Sequence, residues 1–450
     1  HDLSAMFLFQ QSQKNYVGES ANNSEKALPY RHQGIAGRIT YNYDNRYFVE
    51  GNFGYNGSEN FSPNHRFGFF PSIAVGYVVS NEKFFEPIRD VVSMVKLKAS
   101  YGLVGNDQIG GDRRFIYNET VIGGGKYYFG TTPSQYTSVR LGEFPNPNVG
   151  WEKAKKLNLG ADLSFFNQLN ISVDYFKENR EGIFLQRKSI PMYVGLSTKP
   201  WVNIGKMRNS GIDASLEYHQ PLGKDLHLTV RGNFTYARNR IMDQDEPDYA
   251  YTYMNHSGQM QWQKFGLVAA GLFQDQEDID SWAKQSFGEV KPGDIKYLDL
   301  NGDGIVDNYD TKPIGYSDIP EIVYGFGFSL QWKAFDLSAF FQGVAHVSFS
   351  TLTDQTQAFV GRNLKESSVF ADLYGNTWTP ENPGAKYPRM TTGAIDNNNQ
   401  LSTFWMANGR YLRLKNLELG YTLPKRIANK IAMQSLRVYL SGVNLFTFSP

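Results

Sequence analysis

Residues 226–236 read Leu226-His227-Leu228-Thr229-Val230-Arg231-Gly232-Asn233-Phe234-Thr235-Tyr236. In an extended chain, successive side chains point to opposite faces. One face then carries Leu226, Leu228, Val230, Phe234 and Tyr236. The other carries His227, Thr229, Arg231, Asn233 and Thr235. About fourteen segments of roughly ten residues repeat this alternation, separated by polar, glycine-rich connections. A soluble sandwich would turn the apolar face to a core. So many long strands in series, ending in aromatics, predict a sheet with lipid outside and water inside. The expected fold class is all-β, an antiparallel transmembrane β-barrel with long extracellular loops.

Composition narrows the field without deciding it. A chain of 450 residues is long enough for two or three soluble domains or one large barrel. The 45 Lys and Arg nearly cancel the 44 Asp and Glu, so no basic footprint for nucleic acid is present. Aromatics make up 15% of the residues, which suits strands that end at two membrane interfaces. Cysteine is absent, and a large hydrogen-bonded barrel has no need of disulfides. No apolar run reaches about 18 residues, which argues against helical spans. The negative mean hydropathy fits a barrel, because only alternate residues meet lipid.

Tight turns mark four hairpins. They join 38–43 to 47–55 across Asp44-Asn45, 157–165 to 169–175 across Asn167-Gln168, 212–218 to 226–236 across Pro221 to Lys224, and 323–332 to 335–341 across Lys333-Ala334. Long connections span 104–153, 239–320 and 345–408, and alternation of short and long connections is expected of a barrel. Short helices are expected within these loops at 278–284 and 368–374.

Several blocks resemble the SusC/RagA family of TonB-dependent outer-membrane transporters. The most specific is Pro292-Gly293-Asp294-Ile295-Lys296-Tyr297-Leu298-Asp299-Leu300-Asn301-Gly302-Asp303-Gly304-Ile305-Val306-Asp307, followed by Tyr324-Gly325-Phe326 and Phe335-Asp336-Leu337-Ser338-Ala339-Phe340-Phe341-Gln342-Gly343. Asn146-Pro147-Asn148-Val149-Gly150-Trp151-Glu152-Lys153, Gly205-Lys206-Met207-Arg208-Asn209-Ser210-Gly211, Trp378-Thr379-Pro380-Glu381-Asn382-Pro383 and Arg437-Val438-Tyr439-Leu440-Ser441-Gly442-Val443-Asn444-Leu445-Phe446 extend the match over almost the whole chain. The resemblance implies a barrel of about 22 strands, of which residues 1–450 would be the C-terminal part. The plug, the first strands and the last strand would lie outside it. It also implies a Bacteroidetes-like Gram-negative outer membrane, with outer-membrane lipid around the wall. A SusD-like surface lipoprotein would lid the mouth, the TonB–ExbB–ExbD complex would act through the N-terminal part, and the cargo would be a glycan or a peptide.

Residues 299–310 fit an EF-hand-type calcium loop at nearly every position. Asp299, Asn301 and Asp303 supply side-chain oxygens at positions 1, 3 and 5, Gly304 permits the sharp turn, and Ile305 offers its carbonyl. Asp307 and Asp310 fall at positions 9 and 12. Position 12 is Asp rather than the longer Glu, and no flanking helices are evident. The same residues serve equally well as Asx turns that shape a loop. Ca2+ is thus the one cofactor expected. On the wall, His227, Arg231, Asn233, Asp162 and Asp174 should face the lumen, where they either contact cargo or only keep the interior polar. In the long loop, Tyr251, Tyr253, Trp262 and Trp282 offer apolar ring faces with polar handles, suited to sugars, to peptides or to packing among loops.

The seven His are scattered, and no HExxH, GxSxG or phosphate-binding motif is present, so transport rather than catalysis is expected. A soluble or surface-attached, calcium-stabilised adhesin or carbohydrate-binding protein is the alternative, and it requires the apolar faces to form a core.

Overall fold

The computed structural model describes residues 1–16, 28–110, 113–196, 198–353, 369, 371–391, 393 and 395–450. Thirteen strands form the main sheet: β1 (Asp2–Lys14), β2 (Tyr30–Tyr43), β3 (Tyr47–Ser58), β4 (Phe67–Val78), β5 (Val92–Asn106), β6 (Glu152–Phe165), β7 (Leu169–Gln186), β8 (Trp201–Pro221), β9 (Leu226–Asp243), β10 (Ile322–Trp332), β11 (Phe335–Ala345), β12 (Tyr411–Thr422) and β13 (Arg437–Phe448). Each strand's neighbours in the sheet are its neighbours in the chain. The count is one below the expected fourteen or so. Within the connection expected over 104–153, Val121–Phe129 and Ser134–Leu141 form a separate two-stranded sheet.

The four predicted hairpins are all present, and the register shows why alternation governs the sheet. Leu3, Tyr41, Val49, Val75, Ala99, Leu159, Tyr175, Ile212 and Tyr236 are successive cross-strand partners from β1 to β9. One row of partners is therefore apolar across nine strands. A slip of one residue in any pair would carry that strand's apolar set to the charged face. The turn after β2 places both Asp44 and Asn45 at φ 52°. Positive φ at both positions matches the right-handed twist of the flanking strands.

On the apolar face, Tyr47 stacks on Tyr77 at 5.0 Å near one end, and Tyr55 stacks on Phe67 at 5.1 Å near the other. Tyr47 and Tyr55 lie eight residues apart on β3, which is about 26 Å of strand at ~3.3 Å per residue. A strand tilted by ~40° would bring the belts to roughly 20 Å apart, close to the ~25 Å apolar band of outer-membrane barrels.

Two compact units divide the chain. The first comprises His1–Pro247, Phe326–Ser338 and Leu419–Tyr439, and holds β1 to β9 whole. Its loop core is Phe61, Ile109, Ile116, Val149 and Phe184, with Trp151 and Trp201 packed against it. The second comprises Asp248–Gly325, Ala339–Glu418 and Leu440–Pro450, with a core of Leu267, Leu272, Ile295, Tyr297, Val306, Trp378 and Trp405. The helix expected at 278–284 is Gln276–Ser281, capped by the Asp275 carboxylate, which accepts from the Asp278 N–H. It ends there because Lys284–Gln285 is drawn into a parallel strand pair with Ile305–Val306. Of the second expected helix, 368 and 370 lie outside the described residues, and 371–376 are turns.

Gly211 on β8 has no room for a side chain, since a Cβ there would lie 1.9 Å from the Tyr236 carbonyl oxygen and 2.6 Å from the Phe176 ring. Gly51 on β3 has nothing within 4 Å of its Cβ position. Gly211→Val in the full-length protein should cost roughly 1–3 kcal/mol through overpacking. The loss should show as less heat-modifiable, compact species on unboiled gels, with Gly51→Ala unchanged. Equal behaviour of the two variants would contradict the close approach at Gly211.

Candidate functional site

Two surfaces hold the residues expected to act, the polar face of the sheet in the first unit and the loop assembly of the second. On the polar face the charges are arranged as cross-strand pairs. Lys98 on β5 donates to Asp162 on β6 at 2.8 Å and lies 3.6 Å from Asp174 on β7, while Ser172 Oγ donates to Asp162 at 2.7 Å. Arg231 on β9 donates to Glu217 on β8 at 2.9 Å, and Thr235 donates to Asp213 at 2.7 Å. Of the predicted lumen residues, Asp162, Asp174 and Arg231 are thus members of these ladders, while His227 and Asn233 lie opposite Pro221 and Ser215. An open cavity of ≈ 650 Å³ is lined by Arg38, Glu50, Lys96, Lys98, Asn158 and Asp174 of this face together with apolar residues that include Phe48, Val49 and Val75. Its mixed charge suits a polar solute with both donors and acceptors.

The loop assembly is organised around a carboxylate that sequence reasoning did not single out for a role. Asp294 is fully buried. It accepts from the Lys291 N–H at 2.8 Å, Asn398 Nδ2 at 2.9 Å and Arg389 Nη2 at 3.1 Å, and Arg389 Nε stands 2.8 Å from its other oxygen. The adjacent asparagines extend the network. Asn398 Oδ1 accepts from the Ile295 N–H, and Asn397 Nδ2 donates to the Ile295 carbonyl, both at 2.8 Å. The Tyr297 hydroxyl donates to the Asn397 carbonyl at 2.9 Å, and Trp405 Nε1 to that of Asn398 at 2.8 Å. Burial pushes the Tyr297 phenol up, so it remains a donor. Gly293, at φ 91°, lies under the Trp378 ring, where a Cβ would come within 2.3 Å of it. These bonds join two connections about a hundred residues apart in sequence into one folded body.

The 299–310 loop holds its shape through its own side chains. Asp299 accepts from the Gly302 and Gly304 N–H groups at 2.6 and 2.8 Å, and Asn301 accepts from Asp303 N–H at 2.9 Å. Asp303 accepts from Ile305 N–H at 2.8 Å, and Asp307 from Tyr309 N–H at 2.7 Å. Asp310, fully buried, accepts from the Leu300 and Asp307 N–H groups at 2.7 and 2.8 Å. Among the described residues, no three His, Cys, Asp or Glu side chains converge to hold a metal ion. The carboxylates do act together on one neighbour. Burial raises the Tyr253 phenol pKa, and Asp310, Asp299 and Asp303 raise it further.

The four loop aromatics separate into different roles. Trp282 is structural, because its Nε1 donates to the Tyr297 carbonyl at 2.7 Å and Lys296 Nζ lies 4.6 Å from its ring. Tyr251 and Tyr253 stack at 5.3 Å, with the Tyr309 ring edge-on to Tyr251 at 6.2 Å. Trp262 is 60% exposed, and of the four it is the ring most open to a solute.

The sequence of residues 7–445 matches the family described as TonB dependent receptor-like, beta-barrel. TonB-dependent receptor P3 of Formosa agariphila is 30% identical over 428 residues, covering 92% of this chain and 41% of that protein. TonB-dependent receptor SusC of Bacteroides thetaiotaomicron is 26% identical over 406 residues, covering 86% and 37%. The chain therefore spans about two fifths of the length of these relatives. The RagAB peptide transporter superposes with a TM-score of 0.73 at 21% identity, over 99% of this chain and 49% of that one, a likeness of fold.

Replacing Asp294 by Ala would leave the Arg389 guanidinium largely buried without its counter-charge, a change that typically costs about 3–5 kcal/mol. Hydrogen exchange should then speed up at 293–298 and 395–405 while β1 to β9 keep their protection, and unchanged exchange in both loop segments would refute the anchoring role. Asp278 supplies a pH-dependent counterpart. Burial alone would raise its pKa, but Lys296 at 2.9 Å and the Gln274 N–H outweigh it and hold the carboxyl below its ordinary value. Its contribution is full above the ordinary carboxylate pKa of about 4 and is lost as pH falls through the lowered folded value. Protection of 274–281 should fall only below about pH 4. Asp278→Asn should abolish that dependence.

Proposed function

This chain belongs to the TonB dependent receptor-like β-barrel family, and we propose that it supplies wall and loops to an importer of nutrient oligomers. Its place is the outer membrane. The observation that carries the proposal is the two-faced sheet. One face is apolar in register across nine strands and carries stacked aromatics near both ends of β3 and β4, and the other is a ladder of ion pairs beside an open cavity. A soluble adhesin would have to bury the first face, and large side chains on it such as Leu3, Ile73 and Tyr101 are at least half exposed.

In this reading the cargo is a glycan or a peptide, and the open ring of Trp262 in the second unit and the donors and acceptors of the first unit's cavity each offer it a separate contact. Stacking on an aromatic face and hydrogen bonding to paired charges serve both classes. A SusD-like surface lipoprotein would cover the long-loop side. Force for release to the periplasm would come from TonB–ExbB–ExbD, acting through a part of the protein outside this chain. The test is native mass spectrometry of the full-length protein extracted from outer membranes in detergent. A lipoprotein released together with a bound oligosaccharide or peptide is expected, and it would name the cargo class. A protein soluble without detergent, bearing neither partner nor cargo, would overturn the reading.

Calcium at residues 299–310 is a second proposal, supported by the order of oxygen donors along the loop. Binding would require Asp299 and Asp303 to exchange backbone N–H partners for the ion, so weak affinity is expected. Millimolar Ca2+ should raise the thermal midpoint of the loop assembly in wild-type protein but not in Asp299→Asn/Asp303→Asn. Equal curves with Ca2+ and with chelator would exclude it.

A further inference from the structure

The connection between β5 and β6 carries a hairpin, Val121–Phe129 with Ser134–Leu141, that has no core on either face. The register places Ile122, Tyr127, Phe129 and Tyr136 on one face and Val121, Tyr128, Val139 and Leu141 on the other. All eight side chains are exposed, Val139 by 73% and Phe129 by 64%. A two-stranded hairpin is marginal in water by itself, and one that is apolar on both faces gains nothing by staying solvated. A second apolar projection rises in the next long connection, between β7 and β8, where Met192 and Tyr193 are 95% and 90% exposed.

Both projections stand on a stiff base. Asn146 Nδ2 donates to the Trp201 carbonyl at 2.8 Å, the Gly150 N–H donates to Asn203 Oδ1 at 2.9 Å, and the Arg113 guanidinium lies 3.9 Å from the Trp201 ring. Asp245 pins the start of the second projection by accepting from Arg187 Nε, the Lys188 N–H and Ser189 Oγ. A rigid base with exposed apolar ends is arranged for docking rather than for collapse, because little conformational freedom is left to lose on binding.

We propose that the hairpin and residues 192–196 together form the docking surface for a protein on the long-loop side, one that presents apolar grooves bordered by carboxylates. Two features of the surface select that partner. Its charges are Lys126, Arg140, Lys188 and Lys199 against Glu119, while the nearby Glu143 and Asp245 are paired with Arg113 and Arg187, so an acidic border is complementary. Its area is sufficient: the exposed side chains of the hairpin alone amount to on the order of 900 Å², against about 800 Å² for one side of a standard protein interface. Apolar residues on both hairpin faces call for a groove that encloses the arm, which a flat lipid surface does not offer. The proposal rests on the reading of a surface lipoprotein as lid, and it assigns where that lid is gripped.

The test places a photo-crosslinking residue at Val139, at Met192 and, as a comparison, at Asn167 in a short turn, in full-length protein within its own outer membrane. Crosslinked peptides are then identified by mass spectrometry. The expected result is capture of one and the same lipid-anchored protein from positions 139 and 192 and not from 167, through segments of that protein rich in apolar residues and flanked by Asp or Glu. Val139→Asp/Tyr136→Glu should lower its co-purification about tenfold or more, with heat-modifiability unchanged. Crosslinks only to a second copy of this chain, or only to lipid, would overturn the proposal. A lipoprotein that co-purifies but crosslinks from neither position would overturn this surface while leaving the lid reading intact. Absence of any co-purifying lipoprotein would overturn both.

Discussion

Every backbone N–H and C=O that crosses hydrocarbon must find its partner within the protein, since an unsatisfied group there costs several kcal/mol. An antiparallel ladder meets that demand with a side-chain period of two, and the rest of the architecture follows. The row from Leu3 to Tyr236 is apolar because each of its members occupies the same phase of its strand. The opposite phase is free to be charged, and Lys98, Asp162, Asp174, Glu217 and Arg231 use that freedom. Register is thus a shared property of the whole sheet. Two features reinforce it: the left-handed pair Asp44-Asn45 sets the turn, and Gly211 lets β8 come close to Tyr236.

The polar ladder and the loop assembly differ in how much each interaction contributes. Lys98 and Asp162 are each about a quarter to a third exposed, so water weakens their attraction and the pair is worth little by itself. In the proposed importer such weak pairs would give a wet, evenly balanced interior. Asp294 is the opposite case. It is wholly removed from water and surrounded by Arg389, Asn398 and a backbone N–H, so its loss would be felt throughout the loops.

The strands were legible because period two is a local signal, and 212–218 with 226–236 paired as read. The long connections were legible from their lack of that period, but their contents were not. Gly130-Thr131-Thr132-Pro133 between two apolar runs is a turn signal that marks the 121–141 hairpin, yet the segment read as plain loop. The helix at 278–284 was displaced by the pull of Lys284 toward Ile305, a contact that helical propensity does not register. Burial of Asp294 depends on Arg389 and Asn398, 95 and 104 residues away, and no spacing rule reaches that far. The calcium pattern at 299–310 was legible as a donor order. Whether the carboxylates serve an ion or the backbone is decided by geometry, and in this structure they bond to the backbone.

The bonds from Asp294 and Ile295 to Asn397 and Asn398 set an order of events in assembly. Their two halves lie on either side of β10 and β11, so the loop body cannot close until those strands have been threaded and both connections lie on the same side. Closure over about a hundred residues is slow compared with zipping a hairpin. The loop body is therefore a late-folding structure, completed only where both connections have emerged at the same end of the strands. A chain stalled during insertion would expose an unformed loop body there, with Trp378, Trp405 and Tyr297 open to proteases, and in that way cleavage within 293–306 would distinguish a stalled wall from a finished one.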